Sequence, residues 1–153
     1  VSFTIDVQYI YRDKSMPAQK KIREWAGTAL SKYRDHAEVT IRIVDEPESK
    51  QLNEKWRKAQ GATNVLSFPA GGMGAAAPDL LGDIVICAPV VQREAHEQNK
   101  TFHAHLAHMV IHGVLHLLGF DHVNKRDATL MESIETSLLE SLGYTNPYQS
   151  VNP

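Results

Sequence analysis

The chain has 153 residues, 42% hydrophobic and 22% charged, the size and mix of one globular domain with its own core and unlike a disordered or collagen-like polymer. Its 16 Lys+Arg against 18 Asp+Glu leave a net charge of −2, which excludes wrapping of nucleic acid through bulk positive charge but leaves room for a local basic site. The single cysteine excludes an internal disulfide framework and suits a reducing compartment, and no apolar run reaches the roughly 18 residues of a membrane span.

Phe3, Ile5, Val7 and Tyr9 alternate with Thr4, Asp6 and Gln8, the period-two pattern of a half-buried strand. From Pro17 onward, Ile22, Trp25, Ala26, Ala29, Leu30 and Tyr33 recur at three- and four-residue spacing and predict an amphipathic helix. Val39, Ile41 and Ile43 form a second alternating run, and Pro47 opens a short helix ending near Arg57-Lys58. After the break at Gln60-Gly61-Ala62, Thr63 to Phe68 reads as a third strand stopped by Pro69. Gly71 to Pro78 is a small-residue flexible connector, not a phosphate loop, because no Gly-Lys-Ser/Thr closes it.

Leu80 to Ala88 is a fourth strand around Ile84-Val85-Ile86-Cys87, with the Cys87 thiol expected buried and inert. Pro89 starts a third helix, and a break near Asn99-Lys100 separates it from a long helical segment running to Leu118. Asn124 to Leu142 closes the series as a fifth helix stopped by Gly143. On that helix Leu130, Ile134, Leu138 and Leu142 make the expected buried stripe, leaving Glu132, Glu135 and Glu140 as a solvated face. The order predicts a single α+β domain over residues 1–153, with a four-stranded mixed sheet packed by five helices.

Two asymmetries carry the chemistry. Residues 1–58 hold 12 Lys+Arg and 9 Asp+Glu while 59–153 hold 4 and 9, and six of the eight histidines fall between His103 and His122. The cationic half and the histidine-rich half can act together only if folding joins them.

His112 and His116 lie four apart on a predicted helix, so their rings project from one face about 6 Å apart, where two imidazoles can clasp one cation. Gly119 follows at the place of a left-handed cap, and the reversed chain Phe120-Asp121 can return His122 toward the first two. Three imidazoles with an open fourth position make the pattern of a catalytic zinc site. His105 and His108 extend the same helix; His108-His112 is a rival pair of identical spacing, but only the other set has the turn glycine, so these two are expected to pack or to support the site. Asp121 is expected either to orient a ligand imidazole or to serve the turn.

The spacing His112-x3-His116-x2-Gly119-x2-His122 coincides with that of metzincin peptidases, except that Gly113 stands where those enzymes carry the glutamate base. Glycine can neither deprotonate water nor relay a proton to a leaving amine. A hydrolase built this way is expected to act on a substrate that needs less leaving-group protonation or brings its own nucleophile, and an RNA phosphodiester beside a 2′-hydroxyl fits both conditions.

The stretch His112-Gly113-Val114-Leu115-His116-Leu117-Leu118-Gly119-Phe120-Asp121-His122 resembles the signature of the YbeY family of bacterial endoribonucleases. Thr63-Asn64-Val65-Leu66-Ser67-Phe68-Pro69, Leu81 to Cys87 and Leu142-Gly143-Tyr144 resemble family segments in the same order, so the likeness covers nearly the whole chain. The resemblance implies one Zn²⁺ on His112, His116 and His122, and cleavage of single-stranded RNA in the cytoplasm. It further implies a part in rRNA maturation, namely 16S rRNA 3′-end processing and small ribosomal subunit assembly and quality control, with the small subunit or its proteins as partners and no role on DNA or membranes. By the same resemblance the functional arginine falls on Arg57, where a guanidinium can fork onto phosphate oxygens; Arg57 and His112 are the candidate catalytic residues. Two other readings stand beside this one: a zinc-stabilised ribosome assembly factor without catalysis, and a metallopeptidase-like hydrolase.

Overall fold

Alternating apolar residues build β1 (Ser2–Tyr9) and β2 (His36–Val44), which pair in parallel with Ile5 opposite Val39 and Val7 opposite Ile41. A parallel pair needs a crossover connection, and α1 (Gln19–Ser31) supplies it. The molecule is described by a computed structural model over residues 2–71 and 77–149; most of the Gly71–Pro78 connector expected from the sequence lies outside the described residues. β4 (Leu80–Cys87) runs parallel to β2, and β3 (Val65–Pro69) lies antiparallel at its other side, giving the mixed order β1-β2-β4-β3. Among the described residues, four strands and five helices match the expected α+β domain.

The pleat divides the core. Val39, Ile41, Ile43, Ile84 and Ile86 face one side, beneath α1, α4 (Phe102–Leu117) and α5 (Lys125–Ser141). On the other side Val44, Val85 and Cys87 pack with Leu66 and with Leu52 of α2 (Glu46–Trp56). Burial pushes the Cys87 thiol up, in keeping with the expected inert core thiol. The Asp45 carboxylate caps α2 through the Glu48 amide, and Thr101 caps α4 through that of Ala104.

α4 is the central helix. Leu106, Val110, Ile111, Val114 and Leu115 are fully buried, each contributing about 1.5–3 kcal/mol relative to an exposed position. Where the helix lies closest to the sheet the residue is Gly113: a Cβ there would stand 2.7 Å from Ile84 Cγ2. Glycine is the residue that lets α4 rest on β4 at this point, and α3 (Ala88–Glu97) packs along its flank. Among the described residues no helix is long and apolar enough to cross a membrane.

One expectation fails. The buried face of α5 is Met131, Glu135, Leu138 and Leu139, while Leu130 is 55% exposed. Of the stripe read in the sequence Leu138 is buried and Ile134 and Leu142 pack against the core, but Met131 takes the place expected for Leu130, and Glu135, expected in solvent, is 0% exposed. The reason lies on the neighbouring helix, whose imidazoles offer that carboxylate partners that solvent-facing Leu130 would not.

Candidate metal centre

α4 carries His105, His108, His112 and His116 at steps of three and four residues, along one stripe of a helix otherwise enclosed by apolar packing. Buried imidazoles require polar partners or a ligand. His105 Nε2 donates to Glu94 Oε1 of α3 at 2.9 Å, and the same oxygen accepts from Asn64 Nδ2 at 3.0 Å. His108 Nε2 donates to Glu135 Oε1 at 2.7 Å, and His112 Nδ1 donates to Glu135 Oε2 at 2.6 Å. Tyr148 Oη adds a third donor, again to Glu135 Oε1. Burial pushes the Glu135 carboxyl up, but the hydrogen bonds and charge of His108 and His112 more than offset it and leave it at about 2.

An ionised carboxylate only accepts, so His112 carries its proton on Nδ1 and keeps the Nε2 lone pair for the opposite side. There Nε2 lies 3.1 Å from His116 Nε2. Two ring nitrogens at that distance need a proton or a cation between them. Burial first, then the neighbouring imidazoles His112 and His122, push the His116 imidazole below its ordinary value, which favours a neutral ring with a free lone pair.

α4 ends as the sequence predicts. Gly119 has φ +102°, its amide donates to the His116 carbonyl, and the Phe120 amide donates to the Leu115 carbonyl, both at 3.0 Å. These two bonds form the reversal that closes a helix through a left-handed residue. The returning chain sets the His122 ring 5.6 Å from that of His112 and 5.0 Å from that of His116, centroid to centroid. Asp121 serves the turn: its Oδ1 accepts from the His122 amide at 2.7 Å.

The coordinating atoms of His112, His116 and His122 lie within 4.8 Å of one another. A tetrahedral zinc with bonds of about 2.0–2.1 Å would hold its nitrogens about 3.3 Å apart, close to what the helix pair already shows. The donor set therefore fits one such cation. His108, His112 and Glu135 meet the same spacing, but that trio is occupied by its own hydrogen bonds around a fully buried carboxylate and offers no open position.

The three histidines line an open cleft of about 590 Å³ whose other wall includes Arg57 and the β3 residues Val65, Leu66 and Ser67. Arg57 is the C-cap of α2. Its guanidinium donates to the Ser67 carbonyl and stacks over Phe68 at 5.3 Å from the ring centroid. Ser67 Oγ in turn donates to the Gly113 carbonyl at 3.2 Å, tying β3 to the histidine helix. Folding thus brings Arg57, from the cationic first half, to the cleft of the histidine-rich second half.

Glu135 and Tyr148 are the site residues that sequence reasoning missed. A usable signal existed for the first: Met131, Leu138, Leu139 and Leu142 form a stripe of their own with Glu135 as its one polar member, and an acid inside an apolar stripe asks for a partner on the facing helix. Nothing local announced Tyr148, which reaches the site from beyond α5.

The model of the family described as Endoribonuclease YbeY matches residues 8–143. Endoribonuclease YbeY of Nitrosococcus oceani is 50% identical over 153 residues, covering 99% of this chain and 100% of the relative. The protein of the same name from Cellvibrio japonicus is 48% identical over 151 residues, covering 98% of this chain and 85% of the relative. A solution structure from Thermotoga maritima superposes with a TM-score of 0.61 at 24% identity, over 95% of this chain and 99% of that one, which is a likeness of fold.

Proposed function

Because the chain belongs to the YbeY endoribonuclease family, we propose that it is a zinc-dependent endoribonuclease cutting single-stranded RNA, with zinc on His112, His116 and His122. The observation that carries this reading is the shared cleft: an arginine held in place lines the same opening as three imidazoles whose nitrogens converge. When bound, zinc supplies a Lewis-acid charge at the open side of the imidazoles. Arg57, braced by Ser67 and Phe68, is proposed to fork onto the oxygens of the scissile phosphate and stabilise the charge that builds there. His112 is proposed as catalytic in the sense that it touches the cation directly.

The position after His112 also argues for phosphodiester over peptide chemistry. A Cβ at Gly113 would stand 2.7 Å from Ile84 Cγ2, so the carboxylate base that peptide hydrolysis uses could enter here only if Ile84 gave way. RNA brings a nucleophile of its own in the 2′-hydroxyl. The physiological substrate proposed is the 3′ end of 16S rRNA in the cytoplasm, on the assembling small ribosomal subunit.

The test is cleavage of a single-stranded fragment spanning that end by the wild type and by His116→Ala and Arg57→Glu. Both variants are expected to lose activity, Arg57→Glu while retaining metal. Equal rates in all three proteins would overturn the reading.

A further inference from the structure

Glu135 lies outside the three-histidine motif, yet it is the most completely enclosed charge of the site. It is 0% exposed, and a carboxylate in that position is tolerated only when its lone pairs are filled. Each oxygen has a distinct clientele. Oε2 accepts from His112 Nδ1 at 2.6 Å, while Oε1 accepts from His108 Nε2 at 2.7 Å and from the Tyr148 hydroxyl. His108 and Tyr148 also contact one another, Nε2 to Oη, at 3.1 Å. The carboxylate therefore cannot swing away from His112 without abandoning two other donors.

We propose that Glu135 is a positioning residue of the metal centre: held by His108 and Tyr148, it fixes the ring plane of His112 and its Nδ1–H tautomer, so that the Nε2 lone pair faces His116 and the cation. The proposal rests on the reading of His112, His116 and His122 as ligands and goes beyond it by naming what orients the first of them. The physics is that of a carboxylate behind a ligating imidazole: the Nδ1–H bond selects the tautomer, makes the other nitrogen more basic and removes rotational freedom that binding would otherwise have to quench. Tyr148 belongs to the segment beyond α5, itself tied down by Lys100 Nζ donating to the Pro147 carbonyl at 2.7 Å. Residues far from the cleft in sequence thus hold the back of the metal centre.

Glu135→Gln tests this with little change of shape. A glutamine presents one oxygen and one NH₂, so it cannot accept from both His108 and His112; one of the two rings must turn or change tautomer. In the full-length chain stripped with chelator, ¹⁵N spectra of the imidazoles report the tautomer of His112, and titration with Zn²⁺ and Co²⁺ reports affinity and stoichiometry. The expected result is a shift of the His112 signals from the Nδ1–H pattern, with Zn²⁺ affinity lower by about 10–100-fold. A disturbed Co²⁺ absorption band is expected with it. Tyr148→Phe, which leaves Glu135 charged and its other bonds intact, is expected to lose less affinity than Glu135→Gln and to keep the His112 tautomer.

Unchanged affinity and an unchanged His112 spectrum in a folded Glu135→Gln protein would overturn the proposal. So would two Zn²⁺ per wild-type chain with one lost in Glu135→Gln, which would make Glu135 a ligand. If Glu135→Gln fails to fold, Tyr148→Phe carries the test: affinity equal to wild type overturns the proposal. His116→Ala separates the two levels, since metal binding that survives it removes the ligand reading itself, whereas its loss beside an unaffected Glu135→Gln removes this inference alone.

Discussion

His112 and His116 stand on a helix clamped between the sheet and three other helices, whereas His122 stands on an exposed turn that reaches the same point from outside. The first two rings are placed before any cation arrives: their spacing comes from the helical pitch, and one ring is bonded from behind by a buried carboxylate. The third depends on a single left-handed glycine and on the Asp121 carboxylate, which accepts from the His122 amide. On the proposed ligand set, such a division is expected to give the helix pair most of the affinity and to let the turn govern how a cation enters and leaves. It also keeps the substrate side of the centre open while the core side is closed.

The comparison breaks most completely at the rigid half. His116→Ala is expected to abolish metal retention and RNA cleavage while leaving the fold intact, since the ring lies at the cleft; metal analysis of the purified protein reads this directly. His122→Ala is expected to weaken Zn²⁺ binding by a smaller factor, and equal losses in the two variants would erase the distinction. At the helix–sheet contact, Gly113→Glu forces a side chain into Ile84 and is expected to cost about 1–3 kcal/mol or more in urea unfolding, without proteolytic activity appearing. Gly119→Ala places a Cβ at φ +102° and is expected to cost about 1–2 kcal/mol, with faster loss of metal to a chelator than in the wild type.

Acid acts on the buried side and gives the smallest step per pH unit. Burial holds the His105 and His116 imidazoles below the ordinary value of 6.5, so the unfolded chain takes up protons before the folded one does. Stability of the metal-free protein is therefore full above pH 6.5 and declines as pH falls through the depressed values. Glu135 adds a lower window with the same sign: its contribution is present above 4.5 and is lost as pH falls toward about 2. Urea midpoints should fall from pH 8 to pH 4 as the imidazoles charge and fall further from pH 4 to pH 2 as Glu135 protonates; a midpoint that rises over either window would contradict that assignment.

The parts legible in the sequence are those governed by short-range rules. Alternation at Val39, Ile41 and Ile43 gave a strand, helical spacing gave the His112–His116 pair, and Gly119 gave the turn that returns His122. Sheet order was beyond these rules, because Val65–Pro69 pairs antiparallel with β4 at the sheet edge through long-range contacts. The face of α5 was misread for a different reason. Leu130 fits the helical spacing of Ile134, Leu138 and Leu142 as well as Met131 and Glu135 do, and the choice is made by the imidazoles of α4, which no window along α5 contains. Arg57 sits between these cases: its place at a helix end was readable, but its brace on Ser67 and Phe68 came from strand packing.

The contact between Gly113 and Ile84 bears on how such a centre can diversify. In spacing alone the three-histidine motif stands one substitution, at Gly113, from the peptidase pattern. Acquiring glutamate first meets Ile84, and trimming Ile84 first opens a void beneath the central helix, so each route passes through a damaged intermediate. The two positions are therefore expected to change together, if at all, for the same three-histidine geometry to take on a carboxylate base.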